Sequence, residues 1–159
     1  MSPITEHLYI GEYPRTEDIP WLKERHGIGA VASLQDDADL ASKDLELRAL
    51  EQEYRANRIV FRRFPVADGD VEALAQRLGT ILDGLVELQA GGTRVYVHCN
   101  AGMNRAPTVA IAYLHFVEGL GLDEAVEFVK RKRPCVPYLR AIEAARSCGH
   151  LPRGRLVRP

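Results

Sequence analysis

The stretch from Ala106 to Val117 is apolar on almost every face, and no other feature of the chain limits its fold so strongly. A surface helix keeps a polar side, so a helix of this composition has to be enclosed by other elements. Pro107 suits its first turn, where the missing N–H costs no helical hydrogen bond. Just upstream, Val95 to His98 (VYVH) is a short apolar run between Gly-Gly-Thr and Cys99, read as a buried central strand. A buried strand, a short loop and an enclosed helix predict an α/β fold with a sheet between helical layers.

The rest of the chain fits that frame. Strands are expected at His7–Gly11, Gly29–Leu34 and Arg58–Val66, and helices at Ile19–His26, Ala41–Asn57, Asp123–Lys132 and Leu139–Ser147. Gln35 to Asp39 reads as a polar loop. The apolar positions Val71, Leu74, Leu78, Ile81, Leu82, Leu85 and Leu88 recur at three and four, an amphipathic helix closed by Gly91 and Gly92. The expected architecture is therefore a central, mostly parallel, twisted sheet flanked by helices. At 159 residues the chain is read as one domain over residues 1–150, followed by a flexible tail at 151–159 carrying Arg153, Arg155 and Arg158.

Basic and acidic side chains number 21 and 22, for a net charge of −1, which argues against a protein built to wrap nucleic acid or coat a membrane. Met1 to Ile10 lacks the features of a secretory signal, and the longest apolar run, Val109 to Leu114, is too short to cross a bilayer. The cysteines, Cys99, Cys135 and Cys148, are odd in number and without metal spacing. The expectation is a monomeric, cytoplasmic protein that needs no metal or cofactor.

The chemistry concentrates in VYVHCNAGMNRAP, Val95 to Pro107. It places His98 and Cys99 at a strand end, Asn100, Ala101, Gly102, Met103 and Asn104 in a loop, and Arg105 at the mouth of a helix. Such a loop can turn its backbone N–H groups onto a tetrahedral oxyanion while the helix adds its positive end. Gly102 permits the left-handed or close-approach geometry that the cradle needs. The same amides favour a Cys99 thiolate, and Arg105 offers a planar fork for two phosphate oxygens. Taken singly, Cys99 could be a buried small hydrophobe and Arg105 a surface charge. The joint pattern suits phosphate held against sulfur.

These residues resemble the Cys-dependent protein tyrosine phosphatase superfamily, and within it the compact dual-specificity phosphatases. Leu8-Tyr9-Ile10-Gly11 is similar to the family's opening strand, Val97-His98-Cys99 through Arg105 to its signature loop, and Arg131-Lys132-Arg133-Pro134 to its late helix end. The resemblance implies a metal-independent phosphomonoester hydrolase working through a phosphocysteine, with Cys99 and Arg105 catalytic and Asn100 to Asn104 binding the phosphate. It also implies a buried His98 that hydrogen-bonds the loop; as a strand neighbour of Cys99 it points to the opposite face and cannot simply lean on the sulfur.

The reaction needs a general acid from another loop. Asp68 and Asp70 are the candidates; Asp70 sits where the N-cap of the following helix belongs, which makes Asp68 the better acid, the position the resemblance also implies, with Asp70 as the alternative. The run Lys130-Arg131-Lys132-Arg133 reads equally as a steering patch for anions and as a solvated helix end. Within the superfamily the chain is most similar to plant glucan phosphatases and laforin, through Cys99-Asn100-Ala101-Gly102-Met103, Leu34-Gln35-Asp36-Asp37 and Arg105-Ala106-Pro107. It departs from them with Asn104 in place of Gly, Gly69 beside the acid, and Tyr138 where Asn usually follows Pro.

Trp21, Phe64, Phe116 and Tyr138 could line a cleft, but no enriched aromatic stripe marks a polysaccharide platform. The expected substrate is therefore a phosphorylated protein, at phosphotyrosine, phosphoserine or phosphothreonine; a phosphorylated glucan is the alternative. Two further readings use the same loop. A rhodanese-like sulfurtransferase would have no need of Asp68, and a non-catalytic phosphate-binding module would lack the Cys, the Arg or the acid.

Overall fold

A computed structural model describes residues 1–147; the expected tail at 151–159 and Cys148 lie outside the described residues. Five strands form one sheet in the order β1-β2-β5-β3-β4. They are β1 (Ser2–Pro3), β2 (Leu8–Gly11), β3 (Ile28–Ser33), β4 (Val60–Arg63) and β5 (Arg94–His98). Only β1 runs antiparallel to its neighbour, so the sheet is mostly parallel, with β5 hydrogen-bonded between β2 and β3.

Side chains alternate along the central strand. Val95 and Val97 enter a large core with helices α4 (Val71–Leu88), α5 (Arg105–Phe116), α6 (Leu122–Lys132) and α7 (Leu139–Ser147). Tyr96 enters a smaller core on the other face with α1 (Ile19–His26), α2 (Asp37–Ser42) and α3 (Leu47–Ala56). Helix α5 is buried from Arg105 through Leu114, as its all-round apolar composition requires. None of the described helices is long and apolar enough to cross a membrane.

The α1 and α7 boundaries match the sequence reading, and Gly27 ends α1 in the left-handed conformation with φ of 64°. The segment read as one helix from Ala41 to Asn57 is instead two. Asp36 and Asp39 form a reciprocal capping box that starts α2 early, inside the supposed Gln35–Asp39 loop. Asp44, with φ of 54°, then breaks the chain before α3. β4 is likewise shorter than Arg58–Val66, because Arg58 takes a left-handed turn between α3 and the strand. Beyond Arg63 the chain stays tied to β3 by bonds from Phe64 N–H to the Ser33 carbonyl and from Val66 N–H to the Leu34 carbonyl. The short β1 has no periodic pattern that sequence reading could detect.

Candidate active site

The loop from Cys99 to Asn104 leaves the C-terminal end of the central strand, the place where open parallel sheets collect their ligands. Its polarity is set by what its carbonyls do. The Asn100 carbonyl accepts from Tyr13 N–H at 3.1 Å, the Met103 carbonyl from Val136 N–H at 2.8 Å, and the Asn104 carbonyl from Thr108 N–H and Oγ1. Arg133 takes the two between them, with Nε donating to the Gly102 carbonyl at 2.7 Å and Nη2 to the Ala101 carbonyl at 2.9 Å. By contrast, among the described residues none of the backbone N–H groups from Asn100 to Ala106 donates to a protein acceptor. The loop is thus a concavity of unused donors at the mouth of a twelve-residue helix.

Gly102 is required where it stands. Its φ is 64°, and a Cβ there would lie 2.4 Å from the Gly11 carbonyl carbon and 2.7 Å from Arg133 Nη2. β2 and Arg133 therefore close on the loop from two sides.

Arg105 is buried to 1% exposure, which a cation tolerates only with partners. Nη1 donates to Asp39 Oδ2 at 2.6 Å and to the Val66 carbonyl at 2.7 Å. Burial opposes the charge on both members of this pair, and their bond and attraction outweigh it: the Asp39 carboxyl is held below its ordinary range and the Arg105 guanidinium above its own. Asn100 Nδ2 also donates to Asp39 Oδ1 at 2.5 Å, and Gln35 Nε2 to Asn100 Oδ1 at 2.8 Å. On the other edge, among the described residues, Arg105 Nη2 has no hydrogen-bond acceptor and Nε meets none beyond the nearby Asp68 carboxylate. That edge is the one a guanidinium uses for bidentate contact with an oxyanion.

Asp68 reaches the same group from the loop between β4 and α4. Its half-exposed carboxylate places Oδ1 3.3 Å from Arg105 Nε. Asp70, two residues on, instead accepts from Ala73 N–H at 2.9 Å and caps α4.

A family model described as the dual specificity phosphatase catalytic domain matches residues 8–140. The chain belongs to this family. It is similar to the amyloplastic phosphoglucan phosphatase DSP4 of Castanea sativa, 32% identical over 145 residues, covering 89% of this chain and 38% of that protein. It is also similar to laforin of Mus musculus, 27% identical over 146 residues, covering 85% of this chain and 44% of laforin. The chain thus spans less than half the length of these curated relatives. In fold it is like the crystal structure of PTPMT1, with a TM-score of 0.77, 20% identity, and coverage of 92% and 94% of the two chains.

Two residues of this site escaped the sequence reading. Asp39 stood among several acidic residues in an apparent loop, and only the Asp36–Asp39 spacing of its capping box marked it. Arg133 stood in a basic run read as steering or solvated; it is neither, since its guanidinium is used on the loop carbonyls and on Ser2 Oγ. Asn100 turns its side chain away into the Gln35–Asp39 network, which leaves its backbone as the part available to a ligand. Asn104, where the relatives' pattern has Gly, donates from Nδ2 to the Val136 carbonyl at 2.7 Å.

The four aromatics proposed to line a cleft do not come together. Phe64 is buried in the core and Phe116 packs against it, while Trp21 packs edge-on to His26. Trp21 instead borders a cleft of 340 Å³ lined also by Glu12, Tyr13, Arg15 and Tyr96, to which no residue of the signature loop contributes. Cys135 is half-buried, and burial pushes its thiol up despite Lys130 and Arg133 nearby, which makes it the less reactive kind of cysteine.

His98 lies on the α1–α3 face beside Tyr96, their ring centroids 5.8 Å apart. It is buried, with Nδ1 3.4 Å from the Cys99 carbonyl and Nε2 without a partner among the described residues. Burial lowers its pKa from 6.5 to about 4, with Arg105 adding to the effect against the Cys99 carbonyl. An unfolded chain would bind a proton at this residue below about pH 6.5 while the folded one stays neutral until about pH 4. Stability is therefore complete above pH 6.5 and falls as the pH drops toward 4, by up to about 1.4 kcal/mol per unit. Thermal melts across that range should show a shallower loss in His98→Gln than in the wild type. Parallel curves for the two proteins would mean that His98 titrates normally in the folded state.

Proposed function

We propose that this phosphatase hydrolyses phosphate monoesters of proteins, at phosphotyrosine, phosphoserine and phosphothreonine, through a phosphocysteine at Cys99. The observation that carries the reading is the Arg105 guanidinium, pinned through Nη1 by Asp39 and, on its other edge, with Nη2 free among the described residues and Nε facing Asp68, beside a run of unused loop amides. A dianionic phosphate fits those donors, and its charge is spread over oxygens that become more demanding of them in the transition state.

The Cys99 thiolate attacks phosphorus and the ester oxygen leaves with the bonding electron pair. Asp68, protonated, donates its proton to that oxygen, which departs as the free alcohol or phenol. In the second half, the Asp68 carboxylate takes a proton from water as the water oxygen attacks the phosphocysteine. Inorganic phosphate is released and the Cys99 thiolate is regenerated. That Tyr138 approaches Asp68 while Trp21, Phe64 and Phe116 stand elsewhere in the described structure, so that the four do not form one aromatic platform, supports the protein substrate. Similarity to the chestnut phosphoglucan phosphatase and laforin over 85% or more of the chain favours a second reading, a phosphorylated glucan.

Cys99→Ser is expected to release no phosphate, since the hydroxyl is a far weaker nucleophile, while still binding a phosphate analogue through the backbone donors and Arg105. Residual turnover in that variant would defeat the phosphocysteine route. Asp68→Asn should lower kcat/KM by about 100-fold or more for alkyl esters and much less for activated aryl esters, whose oxygens leave without a proton. Equal losses across a leaving-group series would remove Asp68 as the acid. A panel of phosphotyrosine peptide, phosphothreonine peptide and phosphorylated amylopectin under one set of conditions decides the substrate: the peptides are expected to be turned over faster, and preference for amylopectin would select the second reading.

A further inference from the structure

Asp68 stands on a half-exposed loop next to Gly69, whose φ is 83°, and its own loop supplies its carboxylate with no hydrogen bond among the described residues. What reaches it comes from across the site. Tyr138 donates from its hydroxyl to Asp68 Oδ1 at 3.3 Å, the same oxygen that Arg105 Nε approaches. Tyr138 is itself fixed. Its N–H donates to Thr108 Oγ1 at 2.8 Å, and Thr108 Oγ1 donates to the Asn104 carbonyl at 2.8 Å. Two residues earlier, Val136 exchanges bonds with Met103 and Asn104. The Tyr138 backbone is therefore sewn to the first turn of α5, the turn that carries Arg105.

We propose that Tyr138 is a positioning residue for Asp68, holding Oδ1 so that Oδ2 is the oxygen that carries and returns the proton. The inference rests on the reading of Asp68 as the acid. Oδ1 can accept from a phenol whether Oδ2 is protonated or not, so one contact serves both the acid and the base half of the cycle. Burial and the Asp68 charge both push the Tyr138 phenol up, which keeps it a proton donor. At 3.3 Å the bond is longer than the usual O–H···O distance, so its loss should be felt as a several-fold effect and not as a collapse.

The test is a double-mutant cycle with Tyr138→Phe, which keeps the ring packed against the core, and Asp68→Asn, read with a phosphothreonine peptide and an activated aryl phosphate. Tyr138→Phe should lower kcat for the alkyl ester by about 3–10-fold, the size expected for one hydrogen bond, with a smaller loss on the aryl ester and KM little moved. In the Asp68→Asn background the same change should cause no further alkyl loss. Equal alkyl and aryl losses, or an alkyl loss that persists in the Asp68→Asn background, would overturn the role of Tyr138. If Asp68→Asn shows its selective alkyl loss and Tyr138→Phe does not, Tyr138 alone is dismissed. If Asp68→Asn shows no selective loss, the acid assignment falls and takes the Tyr138 role with it.

Discussion

The buried pair between Arg105 and Asp39 is the contact on which the site depends. A guanidinium with 1% exposure cannot persist in an apolar core without a counter-charge and hydrogen-bond acceptors. Asp39 supplies the charge, and the Leu34 and Val66 carbonyls supply acceptors from the ends of β3 and β4. Breaking such a pair typically costs about 3–5 kcal/mol. The geometry of Arg105 is therefore as firm as the core around it. Because these partners all meet Nη1, Nη2 is left free among the described residues while Nε faces Asp68.

Asp39 in turn is placed by local chain physics. The capping box with Asp36 starts α2 directly after β3, so the carboxylate is delivered to the strand ends, where Asn100 and Arg105 meet it. The loop is governed by the complementary rule. Its carbonyls are drawn outward by Tyr13, by Arg133 and Val136 of the segment after α6, and by Thr108 of the helix that continues the loop, and the amides are left free for a ligand. Satisfying the acceptors is how the fold concentrates donors.

Much of this was legible in the sequence. The apolar α5 had to be central, the preceding strand had to be buried, and the loop between them carried its chemistry in its residue types. Asp70 was separable from Asp68 because an N-cap is a local rule, visible one residue before Val71. Asp39 and Arg133 were not, because the site groups their side chains meet lie 61 or more and 31 or more positions away in the chain, and the local Asp36–Asp39 capping box says nothing of Arg105. The single helix expected from Ala41 to Asn57 failed for a related reason: leucine spacing continues across Lys43 to Glu46, while the break is made by the left-handed Asp44.

The free amides of the signature loop also separate two properties that are commonly taken as one. Slow hydrogen–deuterium exchange reports a bonded N–H, and rapid exchange is ordinarily read as motion. Here the segment from Asn100 to Ala106 is held from four directions and yet offers its N–H groups unbonded to solvent or ligand. With these donors unbonded, exchange in this stretch should register occupancy by an anion, so a loop anchored on its carbonyl side would carry the kinetic signature of a mobile one until a ligand covers it.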